Sequence, residues 1–152
     1  MGLYRVAGVQ TTIAATKTAL NLIGGTTCRP RLCDLRLTTT GAPSTDAQAN
    51  ARLQRSTAVG TAGSTPTIQA TDPADPAAIA TAGADHSAEP TYAAGQVMNW
   101  FFNPRSVIQW AAYDPRGEIL IPATANNGLG LQTVSIGGAT GNLVCEFGFY
   151  DK

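Results

Sequence analysis

Short runs of alternating apolar and polar residues recur about every ten residues along the chain, and no convincing helix of ten or more interrupts them. A strand sends successive side chains to opposite faces, so each run reads directly as a pair of faces. Over residues 3–13, Leu3, Arg5, Ala7 and Val9 share one face. Over 17–23, Leu20 and Leu22 stand on one side and Lys17, Ala19 and Asn21 on the other. Residues 14–20 also have the propensity of a short helix, but dense Thr and the stop at Gly24-Gly25 favour a strand. Residues 29–39 set Cys33, Leu35 and Leu37 against Asp34, Arg36 and Thr38, the pattern of a half-buried strand. Gly41–Ser44 breaks it. Residues 50–57 read as a weak strand, Ala51, Leu53 and Arg55 opposing Arg52, Gln54 and Ser56; faces this polar suit partial cover by another chain.

The last third is aromatic. Met98, Trp100 and Phe102 share a face of 96–103. Asp114-Pro115-Arg116-Gly117 has the residues of a type I turn, which predicts a hairpin joining 107–113 to 118–121. Pro122 ends that run, Asn126-Asn127-Gly128 turns again, and 129–136 is a strand. Residues 137–141 form a turn before the final strand, with Leu143, Cys145, Phe147 and Phe149 inward and Glu146 and Tyr150 outward. Evenly spaced short strands with Gly/Pro turns imply a sandwich or barrel. A long crossover favours a sandwich. The expectation is one all-β domain over 1–152, a jelly-roll-like antiparallel β-sandwich of about eight strands with one long loop.

That loop is residues 58–95, rich in Ala, Thr, Gly and Pro. It holds Asp72, Asp75, Asp85 and Glu89 and no basic residue. Thr71-Asp72-Pro73-Ala74-Asp75-Pro76 cannot be regular helix or central strand, because Pro fixes its own φ and restricts the residue before it. Loops of this length usually carry function or lie on something else. Ala supplies more than a third of the hydrophobic residues, so the core is expected to be thin and to lean on neighbouring subunits.

Charge narrows the partners. Only 13% of residues are charged and the formal net charge is zero. Phosphate neutralisation needs a basic patch, so a nucleic-acid partner is not expected. No run approaches a membrane span, and no secretory signal or myristoylation motif opens the chain, so synthesis in a cytoplasm is expected. The zero is nevertheless a sum: residues 1–55 carry +5 and 56–152 carry −5. Either the halves interleave and their charges pair or face water, or copies of the chain meet head to side, the DPADP loop lying on a neighbour's arginines. Arg outnumbers Lys, as at interfaces.

Chemistry is sparse. Cys28, Cys33 and Cys145 lack a disulfide framework or a zinc spacing, and buried reduced thiols are expected for Cys33 and Cys145; one disulfide stays open. The one His, His86, sits between Asp85 and Ser87 and reads as a solvated loop side chain, since triad members converge from separate segments. The Gly pairs around 60–63 and 128–130 lack the rest of a phosphate or dinucleotide motif. Asp72 and Asp75 alone are weak calcium ligands. No catalytic residue, cofactor or metal is expected. Tyr92, Trp100, Trp110 and Tyr113 could form a sugar platform, but Trp100 and Trp110 are favoured as core.

Three pieces carry a resemblance: Val9-Gln-Thr-Thr-Ile-Ala-Ala15; Gln69-Ala-Thr-Asp-Pro-Ala-Asp-Pro-Ala-Ala78; and Glu118-Ile-Leu-Ile-Pro-Ala123 followed by Gly128-Leu-Gly-Leu-Gln-Thr-Val-Ser135. With them the chain resembles the small jelly-roll head-decoration (capsid cement) proteins of tailed bacteriophages. The resemblance implies a structural virion protein, a homotrimer on the outer capsid surface that glues major-capsid subunits against internal DNA pressure. The aromatic block Trp100–Phe102 is richer than such proteins lead one to expect. The expected subunit and capsid contacts are Gly2, Leu3, Tyr4 and Arg5; Arg29, Arg31, Arg52 and Arg55; and Asp72, Pro73, Asp75 and Pro76. The rival reading is a tail or head fibre domain, or a carbohydrate-binding β-sandwich module.

Overall fold

The computed structural model describes residues 2–11, 13, 15–41, 46–134 and 141–151. The turns expected at 41–44 and 137–141 lie outside the described residues apart from Gly41 and Gly141, as do the last two positions of the strand expected over 129–136. The described residues form twelve strands and no helix: β1 (Gly2–Gln10), β2 (Lys17–Ile23), β3 (Arg31–Thr40), β4 (Ala49–Ala58), β5 (Gln69–Ala70), β6 (Thr81–Ala84), β7 (Thr91–Tyr92), β8 (Met98–Phe102), β9 (Ile108–Ala111), β10 (Ile119–Leu120), β11 (Gly128–Val134) and β12 (Asn142–Asp151). They make two antiparallel sheets packed as a β-sandwich. The first runs β10–β3–β12–β1–β5 with β9 also on β3; the second runs β6–β2–β11–β4–β7 with β8 also on β4.

The core lies between the sheets and follows the alternation. From the first sheet come Tyr4 and Val6 of β1, Leu32, Leu35 and Leu37 of β3, and Leu143, Cys145, Phe147 and Phe149 of β12; from the second, Leu20 and Leu22 of β2, Ala51 and Leu53 of β4, and Leu129 and Leu131 of β11. The central strands β11 and β12 are each paired along both sides. In β1 the face shared by Leu3, Arg5, Ala7 and Val9 is the outer one.

Several expectations need correction. Cys33 does not share a face with Leu35 and Leu37. The β3–β12 register runs Gly148↔Asp34 and then Phe149↔Leu32, which leaves Cys33 as the extra residue of a bulge. Leu32 turns inward in its place, and Cys33 is half-buried with its thiol on the Gly148 carbonyl. Cys28 and Cys145 are the buried thiols, and none of the three cysteines is in a disulfide.

Residues 107–121 do not form a hairpin. The turn itself forms, with the Gly117 N–H on the Asp114 carbonyl at 3.0 Å and the Asp114 side chain taking the Arg116 and Gly117 N–H groups. It interrupts one edge strand instead: β9 and β10 both pair with β3, at Asp34–Leu37 and at Arg31–Leu32.

The long loop is not structureless. Residues 58–95 hold β5, β6 and β7 and two isolated bridges, Thr61↔Ala88 and Ser64↔Ala84. Ile68, Ala70, Ala78, Ala80 and Ala82 pack against the core and close one side of the sandwich. The link 85–90 then runs between the two edges of the second sheet, from β6 to β7. Residues 49–58 are consequently a full interior strand, its outer Ser56 buried by the chain's own segment rather than by another copy.

That covering explains a glycine. Tyr92 lies over β11, and its hydroxyl meets the Thr18 hydroxyl at 2.6 Å. A Cβ on Gly130 would sit 2.9 Å from Tyr92 Cε1 and closer still to the phenol oxygen. Gly130→Ala is expected to destabilise the fold by about 1–3 kcal/mol through overpacking, with equilibrium denaturation as the check. Phe101→Ala, at an exposed position, should stay within about 0.5 kcal/mol of wild type.

Candidate interaction surface

Strand direction sorts the expected contact residues. One end of the sandwich gathers the start of β1, the end of β12, the link 24–30, the stretch 71–80 and the link 112–127. Gly2, Leu3, Tyr4, Arg29, Arg31, Arg55, Asp72, Pro73, Asp75 and Pro76 all belong to this end. Arg5 stands one row in, beside Gly148 and Asp34. Arg52 does not join them. It sits mid-strand on the outer face of the second sheet, where its Nε donates to Asn50 Oδ1 at 3.2 Å.

The N-terminal residues and the DPADP loop meet within the chain. β5 pairs with Tyr4 and Arg5, and the Thr71 N–H donates to the Leu3 carbonyl at 2.8 Å. Tyr4 is buried, stacks on Phe149 with ring centroids 5.8 Å apart, and donates its hydroxyl to the Pro76 carbonyl at 2.7 Å. A Cβ on Gly2 would come within 2.7 Å of the Asp75 carboxylate and of the Tyr4 ring, so a larger residue there would have to displace one of these side chains. The loop is shaped from inside: Asp72 Oδ1 accepts from the Ala74 N–H at 2.9 Å, and the Asp75 N–H donates to the Asp72 carbonyl at 3.0 Å. Next to it the buried Asp151 carboxylate takes the Ile79 and Ala80 N–H groups and the Cys28 thiol. Gly2 and Tyr4 therefore act as the seat of the loop, and Asp72 and Pro73 are what it presents outward.

The arginines divide. Arg5 makes a bidentate pair with Asp34 at 2.9 and 3.1 Å. Arg31 pairs with Glu118, and Arg55 Nη1 reaches across to the Leu120 carbonyl at 2.6 Å. Arg29 is exposed. Of the five ion pairs among the described residues, Lys17–Asp85, Arg31–Glu118, Arg36–Glu146 and Arg105–Asp46 join residues 1–55 to residues 56–152. The fifth, Arg5–Asp34, lies within the first part. Much of the split charge is thus met by interleaving inside one sandwich. Nine charged side chains among the described residues stand in no ion pair; Arg29, Arg55, Asp72, Asp75, Asp114, Arg116 and the buried Asp151 are at this end, and Arg52 and Glu89 are not. Ile79, Leu120 and the fully exposed Tyr113 lie there as well. The sequence singles out Tyr113 only as one of four aromatics for a sugar platform and does not signal Ile79 or Leu120, because nothing in it marks which apolar residue falls at an edge.

His86 is a correction. It is 2% exposed, not solvated, and its Nδ1 has no hydrogen-bond partner. Burial pushes its imidazole below the ordinary value, against the raising influence of the Thr18 and Val59 backbone and the Glu89 and Asp85 carboxylates. Burial pushes Asp85 upward, but its contacts with the Lys17 ammonium and with the N–H and hydroxyl of Thr11 outweigh that and hold it below the usual carboxylate range. Burial raises the Tyr92 phenol despite the Thr18 hydroxyl. Trp100 and Trp110 do not fill the core but pack against it partly buried, while Phe101 is 63% exposed and Tyr113 104%.

No family model, curated protein or solved structure matches the chain. Among the described residues no helix is long and apolar enough to cross a membrane, and no group of three or more His, Cys, Asp or Glu side chains is placed to hold a metal ion.

The Tyr4 hydroxyl offers a direct check on how the loop is seated. Tyr4→Phe leaves the ring stack but removes the bond to Pro76. It is expected to cost about 1 kcal/mol of global stability and to speed proteolysis between Thr71 and Ala77. Denaturant unfolding and mapped limited digestion measure the two effects.

Proposed function

We propose that the protein is a structural virion component, a jelly-roll decoration protein that binds the outer surface of a phage capsid as a homotrimer and stabilises it. On this reading it is made in the host cytoplasm, partners itself and the major capsid protein, and binds neither nucleic acid nor membrane. The strand order supports the jelly-roll form. β1, β3, β9 and β12 fall in one sheet and β2, β4, β8 and β11 in the other, with the last strand inserted between the first and third.

The observation that carries the contact reading is the composition of one end of the sandwich. Exposed Ile79, Leu120 and Tyr113 stand there among Asp72, Arg29 and Arg116, charges of both signs with no ion pair of their own. Apolar anchors ringed by unpaired charges of both signs suit an interface between copies. The fibre or sugar-binding alternative needs aromatics in a row. Phe101 pairs opposite Asn50 near one end of the sandwich, and Tyr113 projects from the link near the other, which favours the decoration reading.

Light scattering of the purified protein should give three times the chain mass. Asp72→Lys and Arg29→Glu should each weaken assembly about tenfold or more, a loss of about 1.4 kcal/mol, while moving the stability of the isolated chain by less than about 0.5 kcal/mol. A chain that stays monomeric and does not co-sediment with expanded capsids would overturn the reading.

A further inference from the structure

Residues 85–92 are a strap. They leave β6 at one edge of the second sheet and reach β7 at the other, crossing over β2 and β11 on the way. Backbone bonds from Asp85 and His86 to β2 and the Thr61↔Ala88 bridge hold the strap's first half, and three side-chain anchors hold the whole. Asp85 binds Lys17 at 2.6 Å and the Thr11 N–H at 3.0 Å. Glu89 accepts from the Thr18 N–H at 3.0 Å, from the Thr18 hydroxyl and from Gln132 Nε2 at 3.0 Å. Tyr92 closes the far side through the Thr18 hydroxyl. Asp85 bends the chain at the start of the crossing with φ 51°, a left-handed conformation costly for a non-glycine residue.

His86 sits beneath this strap. Its backbone N–H donates to the Thr18 carbonyl at 3.3 Å, and its ring fills the space over Gly83, where a Cβ would stand 3.3 Å from Cε1 and Nε2. Nδ1 is buried with no partner. The charged groups around the ring are few. From its own segment come the Asp85 and Glu89 carboxylates, both already hydrogen-bonded elsewhere. From β2 comes Lys17, whose ammonium is engaged by Asp85. The stretch 59–63 contributes the Val59 backbone and has no charged side chain. Nδ1 makes no hydrogen bond as the ring is seated, and burial outweighs the Thr18 and Val59 backbone that would favour the charged ring, so the seated imidazole resists a second proton.

We propose that His86 is an acid-sensitive latch: protonation of its imidazole unseats the 85–92 strap from the outer face of the second sheet while the two-sheet core stays folded. The sign follows from proton binding. The free imidazole titrates near 6.5, and the seated one resists the proton, so the open form binds more protons below that pH. The seated form is fully favoured above pH 6.5 and loses ground as pH falls below it. One proton changes the open-to-seated ratio by at most about tenfold per pH unit. The Asp85 anchor is held below the usual carboxylate range and so stays ionised while the imidazole titrates. Opening would bare Gly128, Gly130 and Gln132 of β11 and the buried Asn21 and Ser56 beside them, a polar face with an unused donor at Asn21 Nδ2.

The test uses the whole chain between pH 7.5 and 5.0. Hydrogen-exchange protection factors, corrected for intrinsic rate, are expected to fall in 85–92 by up to about tenfold per pH unit below 6.5 and to hold steady in β1, β3 and β12. Because the chain has a single His, its Cε1–H resonance reports the titration without assignment, and it should shift at a pH below 6.5, together with the loss of protection. His86→Gln, which cannot take the proton, should make strap protection independent of pH over that range. Protection unchanged with pH in the wild type overturns the proposal. So does an equal loss across β1 and β12, or an ordinary titration near 6.5 with no change in the strap. If His86→Gln does not fold, the wild-type exchange profile and resonance decide between these outcomes.

Discussion

Phe147 and Phe149 of β12 and Leu129 and Leu131 of β11 line opposite sides of the gap between the sheets, and all four are fully buried. Both strands are interior, hydrogen-bonded along both edges, so their register fixes that of β1, β3, β2 and β4 in turn. Burying such side chains contributes about 1.5–3 kcal/mol each, far more than the alanines around them can. The rest of the molecule is arranged so that this small set of large residues stays dry. β5 and the packed residues between Ile68 and Ala82 close one side, and β9 and β10 border the opposite edge of the first sheet.

The two outer faces are treated differently. The first sheet shows Arg5, Asp34, Arg36 and Glu146 on its outer face, paired with one another across strands. The second sheet is crossed by the chain itself, and small or polar residues make room: Gly130 accommodates Tyr92, and Thr18 collects Glu89 and the Tyr92 hydroxyl. A buried polar seam is tolerable only when nearly every group is satisfied. Here the exceptions among the described side chains are Asn21 Nδ2 on β2 and His86 Nδ1 in the segment that covers it. A chain poor in large residues thus gains a second packed layer from segments that look like loop.

The two-sheet class was legible because alternation survives in most strands: Leu143, Cys145, Phe147 and Phe149 point inward as their spacing requires. Alternation misled where geometry inserts a residue. The bulge at Cys33 shifts the phase of β3, and no residue type announces it. The turn at Asp114–Gly117 was readable as a turn but not as an excursion from a single edge strand, since turn chemistry does not say which neighbour the flanking residues will choose. The crossing of 85–92 was illegible for the same reason. Its anchors, Thr18, Lys17 and Gln132, lie far away in sequence, so His86 read as solvated. At the candidate surface, the grouping of Gly2–Tyr4 with Asp72–Pro76 was anticipated as two separate contact elements. That one is the seat of the other depends on Tyr4 pointing inward, a matter of register. Arg52 fell outside the group because positive charge in sequence says nothing about which end of a strand it occupies.

The account's central claim is that the end carrying Asp72, Arg29, Ile79 and Tyr113 is covered by copies of the chain and by a capsid. Its most direct test is a difference map of hydrogen exchange between dissociated protein, assembled protein and protein bound to capsids. The account predicts new protection confined to 24–29, 71–80 and 112–121, with the links 46–48 and 103–107 at the opposite end unchanged. Protection at that opposite end, over the outer face of the first sheet, or nowhere would contradict it.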